Sequence, residues 1–263
     1  MKRLGIYMPL RRVSDMVKWS PAFERLYDAT HPKARRTKQA ERDLFRSQVP
    51  SGALCFDVGA NIGDKTRMYA GHDCRVVAIE PVERNLEILR KRFGRSSQVT
   101  IVSGAASDHP GRQAINVIDD ITAFSSFSDR WVKSLEDPEL NRFGLSLKPP
   151  TTQMVDMTTL DLLIEQFGRP HYVKVDVEGH EINVLRGLSQ KVALVSFEAN
   201  LPEFVDETTD CVSTLAALAP TCTFNYTNET QDHFQLPDWV GASVFNAHLT
   251  STDEHFMEIY CKM

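Results

Sequence analysis

No run of the 263 residues approaches the roughly 20 consecutive apolar residues that a membrane-spanning helix needs. The five cysteines (Cys55, Cys74, Cys211, Cys222, Cys261) are scattered, odd in number and contain no CxxC pair. That argues against a disulfide framework and a structural zinc, and for a reducing compartment. The opening MKRLGIYMPLRRVSD carries too short an apolar run, too soon followed by Arg11 and Arg12, to read as a signal peptide. A cytoplasmic location is therefore expected. An excess of basic charge is also missing, since the net charge is -5, which gives no support for a nucleic-acid partner. Neither an internal repeat nor a low-complexity tract is present.

Composition is that of a soluble globular chain, 42% hydrophobic and 25% charged. The charge is uneven: residues 1–50 hold 12 Lys+Arg against 5 Asp+Glu, and read as two or three helices over 10–48. This helical extension, residues 1–49, reads either as a solvated surface or as a docking face, for instance in a homodimer. Over 50–263 the pattern is that of one α/β domain. Strands at ALCFDVG, RVVAIEP and QVTIVSGAAS alternate with helices at NIGDKTRMYAGH and VERNLEILRKRFG. After an extra strand, RQAINVI, residues 119–151 lose any firm period, and loops of that length are usually functional. TTQMVDM, TLDLLIEQFG, YVKVDV and VALVSFEAN restore the alternation. A helix over about 203–218 then leads to three late strands, CTFNYT, ASVFNAH and FMEIYCK. The pattern predicts a mainly parallel sheet covered on both faces, with an antiparallel ending and its ligand at the carboxyl ends of the strands.

The first strand–turn–helix, FDVGANIGDKT, places Gly59 and Gly63 around Ala60, Asn61 and Ile62. It is neither GxGxxG nor a P-loop, so the dinucleotide fingerprint fails at its second glycine. Glu80 ends the second strand, where a carboxylate accepts hydrogen bonds from a ribose, though nicotinamide enzymes use the same device. The stretch YVKVDVEGHEINVLRGL crowds Lys174, Asp176, Glu178, His180 and Glu181 at a strand-to-helix crossover. Asp176 is the first choice for a site carboxylate, as base, orienter or ligand. Glu178 and His180 are further catalytic candidates, and His233 is a weaker one. Glu181 reads as a helix cap and Lys174 as an internal ion-pair partner. A hard-cation site on Asp176 and Glu198 was weighed against the lack of an oxygen-rich motif, and no metal is expected.

DVGANIGD, AIEP and KVDVEGHEINVLRGL together resemble the FkbM-type methyltransferase family, over about residues 50–200. The resemblance implies a class I, Rossmann-like methyltransferase sheet that uses S-adenosyl-L-methionine. It implies that Asp57, Gly59, Asn61 and Gly63 surround the methionine and ribose portions and that Glu80 holds the ribose hydroxyls. The turn from Gly104 to Asp108, Ala106 included, would pass the adenine. The wider class often carries an acidic residue early in that turn; here Ala105 and Ala106 come first, leaving Asp108 as the acidic candidate. Asp176 would stand beside the transferring methyl. Implied too is O-methylation of a sugar, glycan or other small natural product. The alternatives are a nicotinamide-dependent oxidoreductase on a similar fold and a non-catalytic binding relative. Within residues 119–151, Phe124, Ser125, Ser126, Phe127 and Trp131 are candidates for an acceptor floor, or for a lid with buried aromatics.

Overall fold

A computed structural model describes residues 31–118, 124–136, 149–228 and 232–263. Helix α1 (Pro32–Gln48) comes first, followed by β1 (Leu54–Val58), α2 (Asp64–Ala70), β2 (Arg75–Glu80), α3 (Glu83–Phe93) and β3 (Val99–Ser103). A short β4 (Ala105–Ala106), β5 (Gly111–Val117), α4 (Asp129–Glu136) and β6 (Thr151–Thr158) follow. The second half runs α5 (Leu160–Phe167), β7 (Tyr172–Val175), α6 (Glu181–Arg186), β8 (Leu194–Asn200), α7 (Val205–Leu218), β9 (Thr223–Thr227), α8 (Ala242–Leu249) and β10 (Phe256–Lys262).

Seven strands form the main sheet in the order β3-β2-β1-β7-β8-β10-β9. The first five are parallel neighbours. β10 runs antiparallel between β8 and β9. The central strands are buried on both faces, and their side chains alternate between two cores as the pleat requires. Phe56, Val58, Val77 and Ile79 pack with Leu160, Leu163, Val184, Leu185, Val212 and Phe245 from α5 to α8. Cys55, Val76 and Ala78 pack on the other face with Phe45 of α1, Tyr69 of α2 and Leu86, Leu89 and Phe93 of α3. Phe45 stacks on Tyr69 at 4.6 Å, so α1 is joined to the sheet's own core.

Two readings of the sequence are corrected. ASVFNAH is helix α8, not a strand: Gly241 precedes it, and Phe245 and Leu249, four residues apart, bury one face. The last two strands are therefore separated by a helix. TTQMVDM does form a strand, β6, but it joins a second, three-stranded sheet, β4-β6-β5, outside the main one. Of the long segment 119–151, residues 129–136 are helical, while 119–123 and 137–148 lie outside the described residues, as do residues 1–30 of the N-terminal extension.

Strand order reverses between β1 and β7, since the chain steps outward from β1 through β2 to β3 and then resumes on the other side. Such a switch point opens a crevice at the carboxyl ends of the strands. A cavity of about 640 Å³, its open mouth included, lies there.

Candidate active site

The β1–α2 turn forms the first wall. Asp57, the fourth residue of β1, is 2% exposed and accepts from Thr66 Oγ1 at 2.5 Å. Burial raises its pKa, against the Thr66 hydrogen bond. It lies beneath the turn, not among the cavity-lining residues. Gly59 and Asn61 do line the cavity. Gly59 has φ 82°, and a Cβ there would stand 1.8 Å from the Asp176 carbonyl oxygen, so the glycine lets two chain segments cross. Gly63, also in the left-handed region, packs under α3 against Leu89 and Phe93, away from the cavity lining. Each glycine is thus required by a neighbouring protein segment, and Gly59 also lines the cavity. Asn61 adopts φ 49°, which asparagine tolerates better than most residues, and its Oδ1 is buried without a hydrogen-bond partner.

Glu80 closes β2 at 3% exposure. Its carboxylate accepts from Asn61 N at 2.8 Å, Val82 N at 2.8 Å and Asn85 Nδ2 at 3.1 Å. Two oxygens offer four lone pairs, so one remains for a ligand. Burial pushes the carboxyl up to about 7 in spite of these three donors. Glu181 is likewise raised by burial to about 7. A carboxyl whose folded pKa exceeds its ordinary value holds extra protons in the folded state between the two pKa values, so stability falls as pH rises through that window. The unliganded protein is therefore expected to lose melting temperature from about pH 5 to about pH 7.5, and Glu80→Gln to flatten that slope. Thermal unfolding across this range checks it; an unchanged slope in the variant would show that Glu80 does not contribute.

The third wall is apolar. Val82, Ala105, Ala106, Ile115 and Phe127 face the cavity, with Ser125 beside them. Ala106 comes to the cavity and Asp108 does not. Asp108 is exposed and accepts from Ser107 Oγ at 3.1 Å and bonds His109 Nδ1 at 2.6 Å. Of the aromatic segment, Ser125 and Phe127 reach the cavity. Trp131 is buried with Phe124 and Phe204, and its Nε1 donates to the Phe124 carbonyl. Ser126 Oγ donates to the Glu178 carbonyl at 2.5 Å and fixes the opposite loop.

That loop, residues 176–181, continues β7. Asp176, Val177, Glu178 and His180 all line the cavity. Glu178 has φ 54°, an uncommon conformation for a glutamate, next to Gly179 at φ 88°. Glu181 accepts from Val177 N at 3.1 Å and Gly179 N at 2.9 Å, so it secures the loop from the first residue of α6. His180 is 8% exposed, bonds Ser107 Oγ through Nε2 at 3.2 Å and lies 5.0 Å from the Phe127 ring. Burial lowers its pKa to about 4, so the imidazole is neutral near pH 7. His233 sits apart, exposed and bonded to Asp232 at 2.6 Å.

Beneath Asp176 lies a charge cluster. Lys174, 1% exposed, donates to Asp176 Oδ2 at 2.8 Å and stands 3.6 Å from Glu198 and 3.5 Å from Glu258. Burial works to lower its pKa, but the three carboxylates together raise it well above the ordinary value. Carboxylate oxygens of Asp176, Glu178 and Glu198 come within 4.8 Å of one another. Glu178 and Glu198 are raised well above the ordinary range, by burial first and then by Asp176. The ammonium of Lys174 supplies a cation at this cluster. Glu258 is a member the sequence reading passed over. Its signal was a lone acid between the apolar residues Met257 and Ile259, both buried.

An acceptor atom without a donor, an acidic strand end with one lone pair left and an apolar wall are the complement of a nucleoside with an amino-acid tail. Such a ligand brings a planar base, hydroxyl donors and an ammonium, so the residues present fit S-adenosylmethionine.

Residues 57–227 match the Methyltransferase FkbM domain. Hexuronic acid methyltransferase AglP of Haloferax volcanii is 25% identical over 173 residues, 62% of this chain and 62% of that relative. The match thus spans less than two thirds of the relative's length. Among solved structures, a precorrin-6y C5,15-methyltransferase from Geobacter metallireducens aligns at 10% identity over 84% of this chain and 86% of its own, with a TM-score of 0.44. Aeropyrum pernix fibrillarin in complex with natively bound S-adenosyl-L-methionine aligns at 12% identity over 81% and 68%, with a TM-score of 0.38. Likeness at that level carries no argument about activity. The family match covers more than half of the sequence and contains the β1 turn, Glu80 and the whole Asp176 loop: the chain belongs to the FkbM methyltransferase family.

Proposed function

We propose that this protein is an O-methyltransferase acting on a hydroxyl of a sugar, glycan or other small natural product. The observation that carries the reading is Asp176, a carboxylate at the mouth of β7, lining the cavity and held at 2.8 Å by a buried lysine. Residues 50–263 would form the catalytic domain, with Gly59, Asn61, Glu80 and Ala106 holding the cofactor, and Asp57 and Gly63 supporting the turn from below. S-adenosylmethionine, when bound, supplies a methyl group on a positively charged sulfur.

An alcohol is a poor nucleophile until its proton has somewhere to go. Asp176 would accept that proton at its carboxylate while the acceptor hydroxyl acts as nucleophile toward the methyl group that the cofactor would supply. The Lys174 hydrogen bond fixes the direction of the carboxylate. The cavity wall would hold donor and acceptor in one orientation, and much of the rate of such a displacement derives from orientation. His180, neutral and tied to Ser107, shapes the wall between Phe127 and the β4 turn. The hexuronic acid relative supports a sugar hydroxyl as the acceptor class.

Incubation with methyl-labelled donor and an extract of the source cell, followed by fragmentation of the labelled product, tests this. A methyl ether is the expected product. A methyl group found only on nitrogen or sulfur would overturn the reading, as would the absence of any labelled product from protein that binds the donor.

A further inference from the structure

A polar relay crosses from the surface to the apolar wall of the cavity. Asp108, exposed after the β4 turn, accepts from Ser107 Oγ at 3.1 Å and is bonded by His109 Nδ1 at 2.6 Å. Ser107 is buried, and its Oγ lies 3.2 Å from His180 Nε2. The backbone of Ser107 is fixed as well. Its amide donates to the Thr158 carbonyl at 2.8 Å. A Cβ on Gly187 would stand 2.2 Å from the Ser107 carbonyl oxygen, so that glycine lets the end of α6 close on the turn. His180 precedes the first residue of the same helix and lines the cavity.

The relay sets the tautomer of the imidazole. Burial works to raise the pKa of Asp108, but the hydrogen bonds from His109 and Ser107 bring it below the ordinary value, so the carboxylate is ionised near pH 7. A charged acceptor takes the one hydroxyl proton of Ser107 in preference to a neutral nitrogen. Ser107 Oγ is then an acceptor towards His180, and Nε2 carries the imidazole proton. Nδ1 is left with a lone pair. It has no hydrogen-bond partner among the described residues, and unlike Asn61 Oδ1 it is not sealed inside the protein. The wall around the imidazole is apolar: the Phe127 ring is 5.0 Å away, and Ala105 and Ala106 precede Ser107. Ser125, on that wall, accepts from Ile118 N at 3.1 Å, and its own hydroxyl proton has no acceptor among the described residues.

We propose that His180 selects the base of the methyl donor: its Nδ1 accepts from the exocyclic amine of adenine, and the Ser125 hydroxyl donates to a ring nitrogen of the same base. The inference rests on the fit of S-adenosylmethionine to this cavity and needs no particular acceptor. An apolar wall takes the faces of any planar base and does not tell one from another. A single acceptor set in that wall does. It gains a donor from a 6-amino purine, whereas a 6-oxo purine sets one acceptor against another and leaves both without a proton. Asp108 and Ser107 are positioning residues in this scheme. Neither lines the cavity, but together they keep the nitrogen that does an acceptor.

The experiment is calorimetry on the full chain with two ligands, S-adenosylhomocysteine and its 6-oxo analogue, S-inosylhomocysteine. The parent protein is expected to bind the amino form about tenfold more tightly, the scale of one hydrogen bond made against one left unpaired. His180→Phe is expected to bring the two affinities within about threefold of each other. Ser107→Ala, which frees the imidazole to move its proton to Nδ1, is expected to lower the ratio by about threefold, and carries the same test if the Phe variant does not fold. A histidine that only filled the wall would, on replacement, weaken both ligands by one factor and leave their ratio as it was; that result overturns the inference. Equal affinity of the parent for the two ligands overturns it without any variant and leaves the methyl-transfer reading standing. No binding of either ligand to folded protein overturns both.

Discussion

Replacing Asp176 by Asn is expected to lower methyl transfer by about 10²–10⁴-fold, the range over which a positioned proton acceptor contributes. The amide keeps the shape of the carboxylate and one oxygen toward Lys174, but takes no proton. Lys174 retains Glu198 and Glu258 as counter-charges, so the fold should persist. The comparison needs three readings on one sample: turnover, circular dichroism and calorimetric donor affinity. Full turnover in a folded, donor-binding variant would remove Asp176 from the chemistry and leave Glu178 as the remaining carboxylate on the same wall. A pH profile separates a base from an orienter. Loss of a base abolishes the acidic limb of the rate profile, whereas loss of an orienter lowers the whole curve.

Lys174→Met should have the largest effect on stability. The ammonium is 1% exposed and faces three carboxylates, so a neutral side chain of similar length leaves those charges buried without a partner. Breaking such an arrangement from one side typically costs about 3–5 kcal/mol. In a chain of this size that corresponds to a fall in melting temperature on the order of 10 °C. The sign with pH follows from charge. Glu198, which burial already raises well above the ordinary range and Lys174 pulls down, would hold its proton more firmly without the ammonium, so the variant's deficit should shrink as pH falls. A Met variant as stable as the parent at neutral pH would mean that the cluster already carries its protons, and that Lys174 is not its balancing charge.

Much of this site could be read from residues alone, because β-strand, glycine turn and acidic strand end follow one another with the spacing that a parallel sheet requires. Asp176 and Glu80 were legible for that reason. Gly59 was legible as a glycine but not for its cause, since the Asp176 carbonyl that fills its missing side-chain space is more than a hundred residues away. Glu181 read as a helix cap, and it is indeed tied to backbone amides, but to those of the loop before the helix. ASVFNAH misled because a short apolar run satisfies both periods, and only the burial of Phe245 and Leu249 together decides for the helix. Nothing local marks TTQMVDM as belonging to a second sheet, because its partners Ala105–Ala106 and Gly111–Val117 are set by register, not composition.

The position of β10 has a bearing on the order in which the molecule is assembled. Glu258 meets Ser196 across 62 residues of chain, and β9 reaches the sheet only by pairing with β10. Contacts between distant parts of a chain form slowly, because the intervening loop must first be closed. The parallel half, with its helices, is able to gather while β10 is still being made. A nascent chain at that stage has Lys174 flanked by Asp176 and Glu198 but no Glu258, and β8 has an open edge. An exposed edge of that kind invites pairing with other chains. Arrival of β10 closes the edge of β8 and completes the charge cluster in one event, so the surroundings of Asp176 and protection against aggregation are acquired together.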